Sequence, residues 1–420
     1  MLSATDHKAM VESAATPTTA PVVIVGGGFG GLYTALALAS RRQHPPILLI
    51  DPNDRFLFLP LLYELLSGEL RSWEIAPRYD TLLAGKGVAW LQDRVVRIDS
   101  DNGLIHTGAG RQLAFSRLVL ATGAQANSFG IPGVVKHCFG FRTLADVERL
   151  QGLIRKLRER ARPLQRLAVV GAGASGVELA CKLADQLEGS AIVELIEQGP
   201  GLLPLAKAFN REQADRALQR RDVRLRSHTQ VEAVQADRLA LKGPGGQEHL
   251  NVEAVIWTAG LSFRAPEIHP AAPVDRQGRL LCQTSLQLRN HPHIFALGDI
   301  AHVDTEDSGV ENSGVKDSGV EAALPANALP ANAQVAFQQA ECLAGNLVHS
   351  LAGEGLEPFE FNDLGEMMSL GVGEASLTGG GFTLAGAAAY QIRRLAYLAR
   401  LPGKAHQLKV AAGWLADWPR

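Results

Sequence analysis

Two stretches of the chain repeat one pattern of apolar and small residues. Val22-Val23-Ile24-Val25 is an unbroken β-branched run, as expected of a strand buried on both faces. It leads into Gly26-Gly27-Gly28-Phe29-Gly30-Gly31, then an apolar stretch of helical length from Leu32 to Ala39, then Ile47-Leu48-Leu49-Ile50 ending on Asp51. The second copy runs Leu167-Ala168-Val169-Val170, Gly171-Ala172-Gly173-Ala174-Ser175-Gly176, Val177 to Leu187, and Ile192 to Ile196 ending on Glu197. Each reads as strand, tight turn, helix, strand, and predicts an α/β fold built on parallel strands.

A single G-x-G-x-x-G is weak evidence, because glycine turns also arise for packing. Here each copy follows a strand and opens a helix, and an acid lies 23 (Gly28 to Asp51) or 24 (Gly173 to Glu197) residues after the middle glycine, the spacing of a dinucleotide site. Gly26 and Gly171 permit the sharp bend, Gly28 and Gly173 leave bare backbone for a pyrophosphate, and Gly31 and Gly176 let helix and strand approach. The helix N-terminus offers unpaired N–H groups and a partial positive charge to phosphate. Asp51 and Glu197 are placed to accept hydrogen bonds from ribose. Glu197 disfavours a 2′-phosphate and so favours NADH, unless Arg211 or Arg216 compensates, which leaves NADPH open.

Two such sites in one chain imply a flavin enzyme, with FAD resident on one and NADH or NADPH visiting the other. Leu118 to Gly123, containing Thr122-Gly123, and Val255 to Gly260 are short strands closing on glycine, of the type that returns to a nucleotide domain. Ile294-Phe295-Ala296-Leu297-Gly298-Asp299 delivers a carboxylate to a turn, where Asp299 and Gly298 are expected at the ribityl chain of FAD. The expected domains are a lead at 1–20, an FAD domain at 21–145 and 280–360, a nicotinamide domain inserted at 146–279, and a C-terminal region at 361–420.

Composition narrows the rest. Lys+Arg 41 against Asp+Glu 43 leaves a net charge of −2, without the positive field that nucleic acid requires. Cys138, Cys181, Cys282 and Cys342 form no C-x-x-C pair, so neither a disulfide framework, a metal knuckle nor a thiol redox centre is expected, and a reducing compartment fits. The apolar core of a secretion signal is absent from the first 21 residues. Between Asp304 and Asn332 the repeats Ser308-Gly309-Val310-Glu311, Ser313-Gly314-Val315-Lys316 and Ser318-Gly319-Val320-Glu321 read as a low-complexity insertion.

Directly after it, Ala333-Gln334-Val335-Ala336-Phe337-Gln338-Gln339 matches A-Q-x-A-x-Q-Q, the quinone-site pattern of the type II NAD(P)H:quinone oxidoreductases, which the chain resembles from about 21 to 415. The resemblance implies a glutathione-reductase-like flavoprotein with two Rossmann-like domains, non-covalent FAD, a membrane quinone as substrate, and attachment to a membrane face without crossing it. On a helix, Gln334 and Gln338 share a face and present amides to a quinone carbonyl, while Ala333 and Ala336 leave room for a flat ring and Phe337 and Gln339 complete the site; a buried, internally bonded Gln pair is the other account. Phe58-Leu59-Pro60-Leu61-Leu62-Tyr63 is similar to the family's segment beside flavin and quinone, though Leu61 and Leu62 suit a core equally. Glu178 matches a glutamate that faces nicotinamide and flavin and orients the carboxamide or assists proton delivery; alternatively it is an acid favoured by the helix dipole. Arg55 to Leu65, Trp73 to Pro77 and Gly140 to Leu144 are similar to the subfamily of oxygenic phototrophs that reduces a demethylated naphthoquinone for phylloquinone synthesis.

From Ala375 to Ala416 there is no acid, while Arg393, Arg394, Arg400, Lys404 and Lys409 alternate with Phe382, Leu384, Tyr390, Ile392, Leu395, Tyr397, Leu398 and Leu401. That pattern reads as an amphipathic helix pair in an anionic lipid interface, on the cytoplasmic face of a thylakoid or plasma membrane, or as a hairpin packed on its own domain or on a second copy in a homodimer. Trp414 and Trp418 suit either setting. Two other functions compete with naphthoquinone reduction: a general plastoquinone or menaquinone reductase, and a redox sensor that binds FAD and NAD(H) with little turnover. A sulfide:quinone enzyme lacks its paired cysteines here.

Overall fold

The computed structural model describes residues 20–160, 162, 164–303 and 332–416, which fall into two compact units. The first holds the described residues of Met1–Phe56, Arg78–Gln125 and Ser262–Asn362; the second holds Leu57–Pro77 and those of Ala126–Leu261 and Asp363–Arg420. The pentapeptide repeats, Trp418 and all but the last residue of the lead at 1–20 lie outside the described residues.

In the first unit five parallel strands lie in the order Ile294–Ala296, Arg117–Leu120, Val22–Val25, Ile47–Asp51, Val88–Gln92. Val22–Val25 is central and buried at every position, because a parallel strand covered on both faces needs a continuous apolar run. The helix Phe29–Ala39 turns Gly30, Gly31, Leu32, Thr34, Ala35 and Leu38 inward and packs against the long helix Ala333–Ala352. That second helix starts on Asn332, whose side-chain oxygen accepts the Val335 N–H at 2.9 Å and satisfies one of the unpaired first-turn donors. A mixed sheet of Glu267–His269, Val95–Asp99, Leu104–Thr107 and Gln112–Ala114 completes this unit's larger elements.

The second unit repeats the parallel sheet, in the order Arg224–Arg226, Ile192–Ile196, Arg166–Val170, Ala254–Trp257, Cys138–Phe139. A three-stranded antiparallel sheet (Gln230–Val234, Arg238–Gly243, Gly246–Asn251) contributes Val231, Val234, Leu239, Leu241 and Leu250 to a core shared with Val170, Ile196 and Trp257. The C-terminal part forms another antiparallel sheet, Glu366–Ser369, Ala375–Gly379 and Phe382–Gly386, followed by the helices Ala387–Leu398 and Lys404–Ala416. Among the described residues no helix is long and apolar enough to cross a membrane.

These last helices correct part of the reading of the C-terminal stretch as one lipid-facing array. Tyr390 and Leu401 are buried within the unit. Arg393 is 1% exposed and holds Glu64 and the Pro60 carbonyl oxygen, so it is a neutralised internal cation and not a surface charge. Phe382, Ile392 and Leu395 do stand exposed, with Leu408 and Leu415 from the following helix.

Candidate functional site

The two turns have nearly the same geometry. Gly26 and Gly171 both sit at φ +100°, where a side chain is strained, and a Cβ on Gly31 or Gly176 would lie 1.8 Å from the carbonyl oxygen of Gly26 or Gly171. Beyond Gly28 and Gly173, a Cβ would meet no atom within 4 Å, so the main chain faces open space where a pyrophosphate fits. Each glycine begins its helix without a side-chain cap, leaving first-turn N–H groups for an anion.

The strand-end acids brace these turns. Asp51 Oδ2 accepts the Gly27 N–H at 2.6 Å, and Oδ1 accepts both the Asn53 N–H and its side-chain amide at 2.8 Å. Glu197 accepts the Ala172 N–H and the Gly199 N–H, each at 2.7 Å. Both carboxylates are therefore oriented beside their turns, with lone pairs remaining for ribose hydroxyls. Neither candidate arginine opposes Glu197: Arg211 donates to the Leu203, Pro204 and Ala206 carbonyls, and Arg216 pairs with Glu212.

Further groups in the first unit fit a flavin nucleotide. Thr122 Oγ1 is buried with no hydrogen-bond partner among the described residues, an acceptor and donor without a purpose unless a ligand supplies one. Gly123 follows in the left-handed region at φ +65°. Gly298, at φ +71°, opens the short 3-10 turn Gly298–Ile300 that carries Asp299. Its N–H donates to Gln339 Oε1 at 2.7 Å, and a Cβ on Gly298 would come 3.4 Å from Ala336. Two residues of the A-Q-x-A-x-Q-Q motif thus position the Asp299 turn.

The remainder of that motif is arranged differently from the expected row of amides. Ala333 and Gln334 are half-buried in the first turn of the helix. Gln338 is bound twice to the main chain of Asn362, its Nε2 donating to the carbonyl at 2.8 Å and its Oε1 accepting the N–H at 3.0 Å. In this arrangement Gln338 fastens the segment after the helix. Phe337 packs at 4.7 Å on Tyr33, which belongs to an aromatic cluster with Phe29 and Phe56.

In the second unit Gly260 closes its strand at φ +68° and packs against Phe129. Glu178 lies on the first turns of the helix Ala174–Leu187 and is buried. Burial pushes its carboxyl up to about 7, against the opposing pull of Arg393 and of the Ser369 N–H, which donates to Oε1 at 2.6 Å. Around it are Tyr63, Glu64, Lys182 and Arg393, all buried. Tyr63 and Glu64 lie in a segment singled out from the sequence and Arg393 in the basic C-terminal stretch, whereas nothing there points to Lys182. Leu61 and Leu62 are fully packed core, and Phe58 stacks edgewise on Tyr397 at 5.4 Å. The helical period does carry a signal for Arg393: it falls on the stripe of Ala389 and Tyr390, the other buried positions of its helix.

Comparison with known proteins agrees with this frame. The pyridine nucleotide-disulphide oxidoreductase family profile matches residues 20–340. Over 409 residues the chain is 38% identical to demethylphylloquinone reductase NdbB of Synechocystis, covering 94% of this chain and 97% of that one. It is 35% identical over 434 residues to alternative NAD(P)H-ubiquinone oxidoreductase C1, chloroplastic/mitochondrial, of Arabidopsis thaliana, covering 94% and 80%. In fold it is similar to the solved structure of NDH2 from Plasmodium falciparum in complex with NADH, with a TM-score of 0.81, 18% identity, and coverage of 95% and 98%. With two nucleotide turns of one design and relatives matched along nearly its whole length, the chain belongs to the pyridine nucleotide-disulphide oxidoreductases and, within them, to the type II NAD(P)H:quinone oxidoreductases.

Proposed function

We propose that the chain binds FAD on its first unit and NAD(P)H on its second, and reduces a membrane naphthoquinone, demethylphylloquinone, to its quinol. The 38% identity to a demethylphylloquinone reductase along 94% of the chain carries the choice of quinone. Gly26, Gly28, Gly31 and Asp51 cradle the pyrophosphate and ribose of FAD, while Thr122, Gly123, Gly298 and Asp299 line the remainder. Gly171, Gly173, Gly176, Glu197 and Gly260 do the same for the nicotinamide nucleotide. When bound, FAD would supply the redox chemistry that takes hydride from the nicotinamide and passes two electrons to the quinone. The protein aligns these groups, excludes water and manages a proton at Glu178. Because Arg211 and Arg216 are engaged elsewhere, neither sets its charge against Glu197, which supports NADH over NADPH as donor.

Ala333, Gln334, Phe337, Gln338 and Gln339 form the quinone end, with Gln334 offering its amide and Gln338 and Gln339 holding the surrounding main chain. The exposed Phe382, Ile392, Leu395, Leu408 and Leu415, beside Arg400, Lys404 and Lys409, support docking on the cytoplasmic face of an anionic membrane. A benzoquinone substrate is the second reading, favoured by the ubiquinone named for the Arabidopsis relative. One anaerobic experiment separates them. The flavoprotein is reduced with limiting NADH, mixed with demethylated naphthoquinone or a plastoquinone analogue, and followed through recovery of the oxidised flavin spectrum. Faster recovery with the naphthoquinone is expected. Equal or faster recovery with the benzoquinone replaces this reading with general electron transport, and recovery with neither replaces it with a redox sensor.

A further inference from the structure

Four elements of the second unit bring five ionisable side chains into one buried line: the helix Leu62–Leu66 with the turn after it, the helix Ala174–Leu187, the strand Glu366–Ser369 and the helix Ala387–Leu398. At one end, Glu178 accepts the Ser369 N–H, with Arg393 Nη2 at 3.8 Å. Arg393 then pairs with Glu64, which also accepts the Ser369 hydroxyl at 3.2 Å. Lys182 Nζ stands 3.8 Å from Glu64 and is hydrogen-bonded to Glu69. The side chains of Glu64 and Lys182 are 0% exposed, and that of Glu69 is 13% exposed. The Glu178 side chain is 11% exposed, at the end that the nicotinamide would cover in the function proposed above, so Glu69 is the end left open to solvent. Glu64 Oε2 meets no partner among the described residues, which leaves a hydrogen-bonding position open midway.

Three carboxylates share two cations. Glu69 has Lys182, and Glu64 has Arg393, but Glu178 has the distant edge of the same guanidinium, the Ser369 N–H and the neutral Tyr63 hydroxyl, and no cation of its own among the described residues. A buried carboxyl short of counter-charge holds a proton more firmly. The remaining groups facing it do not supply the missing charge: Tyr63 and Tyr397 are held neutral by burial, and burial likewise pushes the Cys181 thiol up to about 12. Beyond them Asp185 and Glu374 are matched by Arg220 and Arg221.

We infer that Glu69 and Lys182 are positioning residues that decide when Glu178 holds a proton, and that Glu69 is where this proton enters from solvent. The inference rests on the function proposed above, whose chemistry has a use for it: NAD(P)H, one proton and a quinone give NAD(P)+ and a quinol, so one proton is drawn from water in each turnover.

The test is a pH titration of the flavin-loaded protein by infrared spectroscopy, following the protonated-carboxyl band that disappears in Glu178→Gln. Glu69→Gln removes a negative charge and is expected to lower the midpoint of that band by about one pH unit, whereas Lys182→Met removes a positive charge and is expected to raise it by about as much. Lys182→Arg should restore the wild-type midpoint. A merely structural role does not give opposite signs. If Lys182→Met does not fold, Glu69→Gln and Lys182→Arg still decide: an unmoved or raised midpoint in Glu69→Gln, or a Lys182→Arg midpoint displaced as far as Glu69→Gln, overturns the inference. Proton uptake during quinone reduction, followed with an indicator dye, should be slowed roughly 10-fold in Glu69→Gln, and a wild-type uptake rate overturns the entry role. The titration needs no quinone, so a wild type that reduces none defeats the function proposed without touching the network.

Discussion

The two nucleotide turns share their glycine geometry and differ in what surrounds them. In the first unit the Gly27 carbonyl accepts a hydrogen bond from the buried Tyr79 hydroxyl at 2.8 Å; in the second the Ala172 carbonyl accepts the Leu203 main-chain N–H at 2.9 Å. Thr258, after the second unit's return strand, folds its hydroxyl back on Val170 O at 2.8 Å, while Thr122 of the first unit keeps its hydroxyl unpartnered among the described residues. The helix after the first turn, Phe29–Ala39, has no charged residue, whereas the helix after the second, Ala174–Leu187, carries Glu178, Lys182 and Asp185. The difference teaches a division of labour: a turn locked by a buried phenol suits a resident nucleotide, and a turn whose helix leads into buried acids and bases suits a substrate that arrives with proton chemistry.

The strongest way to break this comparison is to damage each turn in the same way. Gly31→Ala and Gly176→Ala each drive a Cβ to 1.8 Å from a carbonyl oxygen, so the helix must move off its strand. Gly31→Ala should purify without flavin, read from visible absorbance. Gly176→Ala should keep its flavin yet lose at least about 100-fold in the rate of flavin reduction at low NADH, equivalent to ~2.7 kcal/mol. Flavin loss in both variants alike would erase the assignment of resident and visiting nucleotide.

A second effect, of comparable size, belongs to Glu178 alone, because the first helix has no counterpart to it. Burial raises its carboxyl in the folded chain to about 7, above the ordinary value of 4.5. As pH rises from about 4.5 through about 7 the unfolded chain loses this proton before the folded one does, so stability declines across that window, by on the order of 3 kcal/mol. Glu178→Gln carries no such ionisation. Denaturant unfolding at pH 5 and pH 8 should therefore show the variant losing less stability than wild type over that interval, and identical losses would refute the assignment.

Much of this comparison is legible in the sequence, and the reason is locality. Gly26 to Gly31 and Gly171 to Gly176 encode backbone geometry within six residues, and the strand-end acids follow at fixed spacing, so both parallel sheets and their turns could be read directly. The charge network could not. Arg393 and Glu64 are 329 positions apart, and a basic residue among apolar ones reads as a lipid-facing cation until the helix is seen to bury the stripe that holds it. The hold of Gln338 on Asn362 was hidden for a similar reason, since nothing near it in sequence announces that main chain as its partner.

Donor choice gives the next effect in size, and it sharpens the second turn. Glu197→Ser removes the carboxylate that meets a 2′-phosphate while leaving Arg211 and Arg216 in place. The ratio of kcat/KM for NADPH over NADH should rise about 10-fold, or ~1.4 kcal/mol. No change would mean that another group reads the ribose.

The smallest effect returns to the first turn. Tyr79→Phe deletes only the hydroxyl that donates to the Gly27 carbonyl, in a pocket so close that a Cβ on Gly27 would strike that oxygen at 2.2 Å. Burial raises the phenol well above its ordinary range, so the group is a neutral donor at every working pH and the loss should be independent of pH. A net hydrogen bond of ~1 kcal/mol corresponds to about a fivefold faster loss of flavin on dilution, measured by the recovery of free-flavin fluorescence. In the second turn the Ala172 carbonyl is held by the Leu203 main-chain N–H and not by a phenol, so KM for NADH should stay put. A rise in that KM equal to the change in flavin release would show that the hydroxyl supports the whole protein and not the first turn.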